Sequence, residues 1–221
     1  NRALIFRSEL PEGHSMSILS RRLLLVAAAG ASLALAGCTK GGSAGAVSAE
    51  DMSLGDPNAK VKVVEYASVT CSHCATFNQN TFEEFKAKYI DTGKVQYTLK
   101  EFLTPPEQVA AAGFLVARCA GKDKYFTVID ALFRSQQEMF QSGDLRGGLL
   151  RVAQSAGMTE EQFNACVQDE KALTALNARV EKAIRQDGIT ATPTFIINGK
   201  KVKEGDITMA ELDAAIAEAS K

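Results

Sequence analysis

Cys71-Ser72-His73-Cys74 sets two thiols two residues apart with an imidazole between them. A thiolate, not a thiol, attacks a disulfide, so a redox pair needs one cysteine with a lowered pKa. The spacing lets the two sulfurs bridge across one helical turn. Cys71 therefore reads as the exposed nucleophile and Cys74 as the partner that closes an internal disulfide. His73 can donate a hydrogen bond to the Cys71 thiolate or add positive charge. Either favours the reduced pair, which makes the disulfide form the stronger oxidant. The same motif is half of a zinc site, but that would need a second pair of ligands. Beyond the N-terminal leader the chain has one His and no second CxxC, so no metal is expected. A purely structural bridge would leave His73 without a use. One His also argues against Ser-His-Asp chemistry, which needs its own positioned base.

The elements around this motif must deliver it to a helix start, where free N–H groups and the helix dipole favour negative charge. Val61 to Tyr66 is β-branched and bounded by Asp56-Pro57 and Ser68-Val69-Thr70, which predicts a strand. From Cys71 to Tyr89 the positions Phe77, Phe82, Phe85 and Tyr89 recur at helical spacing. Val95 to Phe102 is a second strand, and Pro105-Pro106 breaks the pattern. Residues 107–187 read as helices only, over 107–120, 122–138, 144–156, 160–168 and 170–186. Thr159 with Gln162 is a capping box for the fourth of these, and Gly188 stops the last. Thr194 to Ile197 and Lys200 to Lys203 flank Asn198-Gly199, a strong hairpin signal. Thr208 with Glu211 caps a C-terminal helix over 209–219. The order predicts an α/β fold: one sheet interrupted by a helical insertion.

Composition bounds the rest. The 221 residues are 46% hydrophobic and 23% charged with net charge −1, enough for a core and no sign of a nucleic-acid partner. From Met16, Arg21-Arg22 precedes an apolar run over Leu23 to Ala36, too short to span a bilayer and typical of an export signal. Residues 1–15 are set aside as lying ahead of that start. Leu35-Ala36-Gly37-Cys38 resembles a bacterial lipobox, which would make Cys38 lipidated. Ala34-Leu35-Ala36 offers a simple cleavage instead, and Ser20-Arg21-Arg22 weakly resembles a twin-arginine signal. The Gly/Ser/Ala-rich stretch after Cys38 reads as a tether over 38–54. With Cys38 lipidated, four cysteines remain. Cys119 and Cys166 are either two buried thiols or, in an oxidising compartment, a structural disulfide. The bridge would contribute about 4 kcal/mol by chain entropy. The expected domains are a leader over 1–37, the tether, a split domain over 55–104 and 188–221, and a helical insert over 105–187.

Four features together resemble the DsbA-like branch of the thioredoxin superfamily: strand–CxHC–helix, Thr192-Pro193-Thr194-Phe195, the helical insertion, and Tyr89 to Val95. The resemblance spans about residues 55–221 and implies a thioredoxin fold with an inserted helical domain. It implies that Pro193 is cis beside the redox pair and that Thr192 presents its backbone to a bound substrate strand. Glu65 falls where relatives place a buried acid that helps proton transfer at the resolving cysteine, and Lys100 looks like that acid's partner. Ser72 departs from the Pro of the best-known members, Thr70 from the Trp of thioredoxin, and Ala191 from a common Gly. The implied function is disulfide donation to reduced or unfolded exported polypeptides, with reoxidation by a DsbB-like membrane quinone reductase and no cofactor. A reductase or isomerase, and a tethered peptide-binding module, are the alternatives. The expected place is the periplasm or cell envelope, touching the membrane only through a lipid anchor, as a monomer.

Overall fold

The computed structural model describes residues 44–221. The expected leader, signal and Cys38 lipidation site lie outside the described residues. Five strands form one sheet in the order β1-β3-β2-β4-β5. They are β1 (Met52–Leu54), β2 (Val61–Ala67), β3 (Val95–Glu101), β4 (Thr194–Ile197) and β5 (Lys200–Glu204). β2 and β3 are parallel, and the other three pairings are antiparallel. β2 is central and covered on both faces, which is why Val61, Val63, Val64 and Tyr66 read as a near-continuous apolar run.

One expectation needs correction. The span 38–54 is not all tether, because Met52–Leu54 pairs with β3 from Tyr97 to Leu99 and Met52 is buried. Further back, Ala46 accepts a hydrogen bond from Lys100 Nζ at 2.7 Å. A short strand completed by a partner about 45 residues downstream has little local signature.

The helices fall close to the predicted spans. A helical run starts with α1 (Ser72–Phe77), widens to a π-helical turn at Asn78–Phe82, returns at α2 (Glu83–Phe85) and widens again at Lys86–Ile90. The insert holds α3 (Glu107–Cys119), α4 (Lys122–Ser142), α5 (Leu145–Ser155), α6 (Glu160–Val167) and α7 (Glu170–Arg185), and α8 (Met209–Ala219) ends the chain. α4 runs a turn beyond the predicted 138, to Ser142, and the following Gly143, with φ of 73°, supplies the left-handed helix end. Both predicted capping boxes are formed.

The insert does not keep a core of its own. Phe114, Tyr125, Ile129 and Leu132 belong to the same buried cluster as Phe85, Tyr97 and Phe195 of the sheet domain. α3 approaches the loop ahead of Cys71 so closely that a Cβ on Gly113 would lie 2.8 Å from Val69 Cγ2. At the far end of α3, Cys119 is bonded to Cys166 of α6, with Cα atoms 6.2 Å apart. That bridge joins α3 to α6 within the insert.

Candidate active site

The loop from β2 to α1 is fixed from three sides. Cys71 N–H donates to Ser68 O at 3.0 Å, closing a turn. Thr70 Oγ1 donates to Thr104 O at 2.8 Å, and Thr104 N–H donates to the buried Ser68 Oγ at 3.2 Å. From the insert, the amide of Gln136 donates to Val69 O at 2.8 Å and to Cys71 O at 3.1 Å. Gln136 is itself buried and occupies the apolar stripe of α4 that contains Ile129, Leu132, Phe133 and Met139. A polar residue in such a stripe was a readable signal, and the sequence reading passed over it.

Cys71 is the N-cap of α1, and its sulfur accepts from Cys74 N–H at 3.4 Å. Both thiols are reduced; Cys74 is fully buried and Cys71 only partly so. The two sulfurs are electrostatically unlike. The Cys74 thiol, donating to Cys71, leads the interactions that hold the Cys71 pKa down to about 5, and the Thr192 side chain and the N–H groups of Cys74 and His73 add to it against the opposing effect of burial. Burial pushes Cys74 well above the ordinary thiol value, and its donated hydrogen bond and the charge of Glu65 reinforce that. A nucleophile ionised at neutral pH thus sits beside a resolving thiol that keeps its proton.

The Thr192–Pro193 peptide bond is cis, and it brings Thr192 O to 3.3 Å from Cys71 Sγ as an acceptor for the thiol. Thr192 Oγ1 is buried with no hydrogen-bond partner among the described residues, so its proton is available to the thiolate. β4 then runs antiparallel beside β2, with Phe195 opposite Glu65.

His73 is placed differently from the simplest expectation. Its Nδ1 lies 2.9 Å from a carboxylate oxygen of Asp206, in the segment between β5 and α8, and both side chains are more than half exposed. Its contact with the Cys71 thiolate is through the backbone N–H. Nothing local marked Asp206, 133 residues away, as the imidazole's neighbour.

Glu65 is buried, and its partner is Tyr97, whose hydroxyl donates to Glu65 Oε2 at 2.6 Å. Burial, aided by the charge of Cys71, raises the Glu65 pKa to about 8 against the Tyr97 hydrogen bond. Lys100 does not fill the role expected of it. Register pairs Glu65 with Leu99 and Tyr66 with Lys100, so strand alternation sends Lys100 to the face of Tyr66. There its ammonium lies 5.7 Å from the Tyr66 ring and 3.7 Å from Asp51.

A half-buried, ionised thiol at a helix start, a buried second thiol one turn on, and a cis-proline loop against both define a dithiol exchange site on a thioredoxin-like sheet. A family model described as thioredoxin matches residues 48–218. Wolbachia pipientis alpha-DsbA1 superposes with a TM-score of 0.72 at 30% identity, over 78% of this chain and 92% of that one. BdbD from Bacillus subtilis superposes with a TM-score of 0.66 at 23% identity, a likeness of fold. A Rickettsia bellii protein named as a protein-disulfide oxidoreductase is 34% identical over 171 residues, 76% of this chain and 65% of the relative. A Rickettsia conorii protein of the same name is 34% identical over 76% of this chain and 60% of its own length, so the chain spans under two thirds of these relatives. The chain belongs to the thioredoxin family and is a DsbA-like member of it.

Proposed function

We propose that this chain is a protein thiol–disulfide oxidoreductase that works as an oxidase, passing the Cys71–Cys74 disulfide to reduced polypeptides outside the cytoplasm. The observation that carries the reading is the contrast between Cys71, ionised from about pH 5, and the buried, protonated Cys74. Stabilising the thiolate stabilises the reduced pair, and a stabilised reduced pair is an oxidant.

A substrate thiolate attacks Cys71 Sγ, the Cys71–Cys74 bond breaks, and Cys74 leaves and takes up a proton. A second substrate thiolate then attacks the substrate sulfur of the mixed disulfide, and Cys71 departs as a stable thiolate. The cis Thr192–Pro193 segment offers backbone beside Cys71 for an extended substrate strand. Glu65 serves proton transfer at Cys74. His73, held by Asp206, presents its N–H at the thiolate. The Cys119–Cys166 bridge supports an oxidising compartment. The lipobox-like Cys38 supports tethering to the envelope, and a DsbB-like quinone reductase is the reading's reoxidant. The chain acts as a monomer.

The test is the equilibrium potential of Cys71–Cys74 in glutathione buffers. A value between about −120 and −180 mV supports disulfide donation. A value near about −270 mV refutes it and makes the protein a reductant. Cys71→Ser must abolish turnover of reduced substrates, which a peptide-binding module would not require.

A further inference from the structure

We propose that Tyr97 is a positioning residue: it holds Glu65 as the group that gives a proton to Cys74 and takes it back. The proposal rests on the dithiol-exchange reading above and concerns how its buried half is run. Tyr97 and Glu65 are each 2% exposed, and the hydroxyl donates to the carboxyl oxygen at 2.6 Å. Ring contacts fix that hydroxyl. The Tyr97 ring lies 5.1 Å from Phe82, 6.0 Å from Phe85 and 6.0 Å from Phe126. A rotation that broke the hydrogen bond would have to move three packed aromatics.

No cation reaches this acid among the described residues. The site's N-cap and α1 present Cys71 and Cys74, and β3 presents Tyr97. α4 offers the apolar Phe126, Ile129 and Phe133, the π-helical turn offers neutral Asn78, and β4 offers Phe195. Tyr125 acts on Tyr97 from α4, and it too is uncharged at neutral pH. Lys100 is spent on the opposite face. A neutral hydroxyl is therefore the protein group that favours the carboxylate here, and it opposes the burial that favours the acid.

The balance has a mechanistic use. When a substrate thiolate opens the disulfide, the Cys71–Cys74 bond breaks and the electron pair leaves on Cys74. The carboxylic acid of Glu65 supplies the proton, leaving Cys74 as thiol and Glu65 as carboxylate. When Cys74 closes back onto a mixed disulfide, the carboxylate takes the thiol proton, Cys74 bonds to Cys71, and the other thiolate leaves. An acid that titrates near pH 8 serves both directions. Stripped of its donor, it would hold its proton to higher pH and would serve only the first.

The experiment uses the full chain with Tyr97→Phe, which keeps the ring. Infrared titration follows the C=O stretch of the protonated acid, assigned by its disappearance in Glu65→Gln. Closure of a mixed disulfide between Cys71 and glutathione is followed by rapid quench from pH 6 to 9. We expect the infrared midpoint to move upward, and closure at pH 8 to slow about fivefold for a move of one unit, as the carboxylate fraction falls from about a half to about a tenth. In a Glu65→Gln background the same Tyr97→Phe change should leave closure unaltered. An unmoved midpoint overturns the proposal. So does an equal slowing with and without Glu65, which would mark Tyr97 as packing alone. If no mixed disulfide forms in the parent chain, the exchange reading fails, while the infrared midpoint still decides the Tyr97–Glu65 link.

Discussion

The reduced protein should gain stability over the oxidised protein as pH rises from 4 to 7. Cys71 is the reason. Its folded pKa is about 5, whereas an ordinary thiol titrates near 8.5. A depressed pKa stabilises the fold fully above the unfolded value and not at all below the folded one. Between pH 5 and 7 the folded thiolate is ionised while the unfolded thiol is not, about two units and so about 2.7 kcal/mol. Cys71 is partly exposed, so solvent screening brings the expected figure to about 1–2 kcal/mol. The oxidised form has no thiol to titrate there. The cross-link itself contributes a term that does not depend on pH, so taking the difference between the two pH values removes it. Glu65 has a raised pKa and costs stability as pH rises towards 8, but it titrates in both redox forms and largely cancels. The assay is urea unfolding of each form at half-unit pH steps, with thiolate absorbance titrated in parallel. A difference that stays flat from pH 4 to 7, or an absorbance midpoint at 8 to 9, would refute the reasoning.

Gln136→Leu should leave the Val69 carbonyl without its donor and Cys71 O with only the Ala75 N–H, and cost about 1–3 kcal/mol in urea unfolding, with faster alkylation of the loosened Cys71. Glu101 is buried and bonded to Arg118 Nε at 2.5 Å and Arg179 Nε at 2.8 Å, so Glu101→Ala should destabilise by about 3–5 kcal/mol in the same assay. Replacing Cys119 and Cys166 together by Ala should cost up to about 4 kcal/mol while leaving the Cys71–Cys74 potential unchanged. A potential that moved with the second pair would show that the two couple.

How far the sequence could be read depended on how local each signal was. The thiol pair, the capping boxes at Thr159 and Thr208 and the Asn198-Gly199 hairpin are written in a few adjacent residues, and each lies where the pattern put it. β1 was lost because three residues gain their identity only by pairing with β3. Lys100 was given to Glu65 on the strength of a resemblance, although neighbouring strands fix faces by register, and register put Tyr97 there instead. Asp206 and Gln136 reach the site from 133 and 65 residues away. Distances of that kind are set by how helices settle on a sheet, which periodicity alone does not encode.

The interrupted sheet has a consequence for synthesis. β2 pairs with β4, so its second edge stays open until residue 197 has emerged. Chains are made from the N-terminus, so Cys71, Cys74 and Cys119 are all present before Cys166, the native partner of Cys119. During that interval the reactive thiol shares an unfinished chain with a cysteine it must not join. The structural disulfide of this protein is therefore one it must avoid miswriting with its own active site. In the folded chain α3 packs on the Val69 loop at Gly113, about 9 Å along the helix from Cys119, and so spaces Cys119 away from that danger.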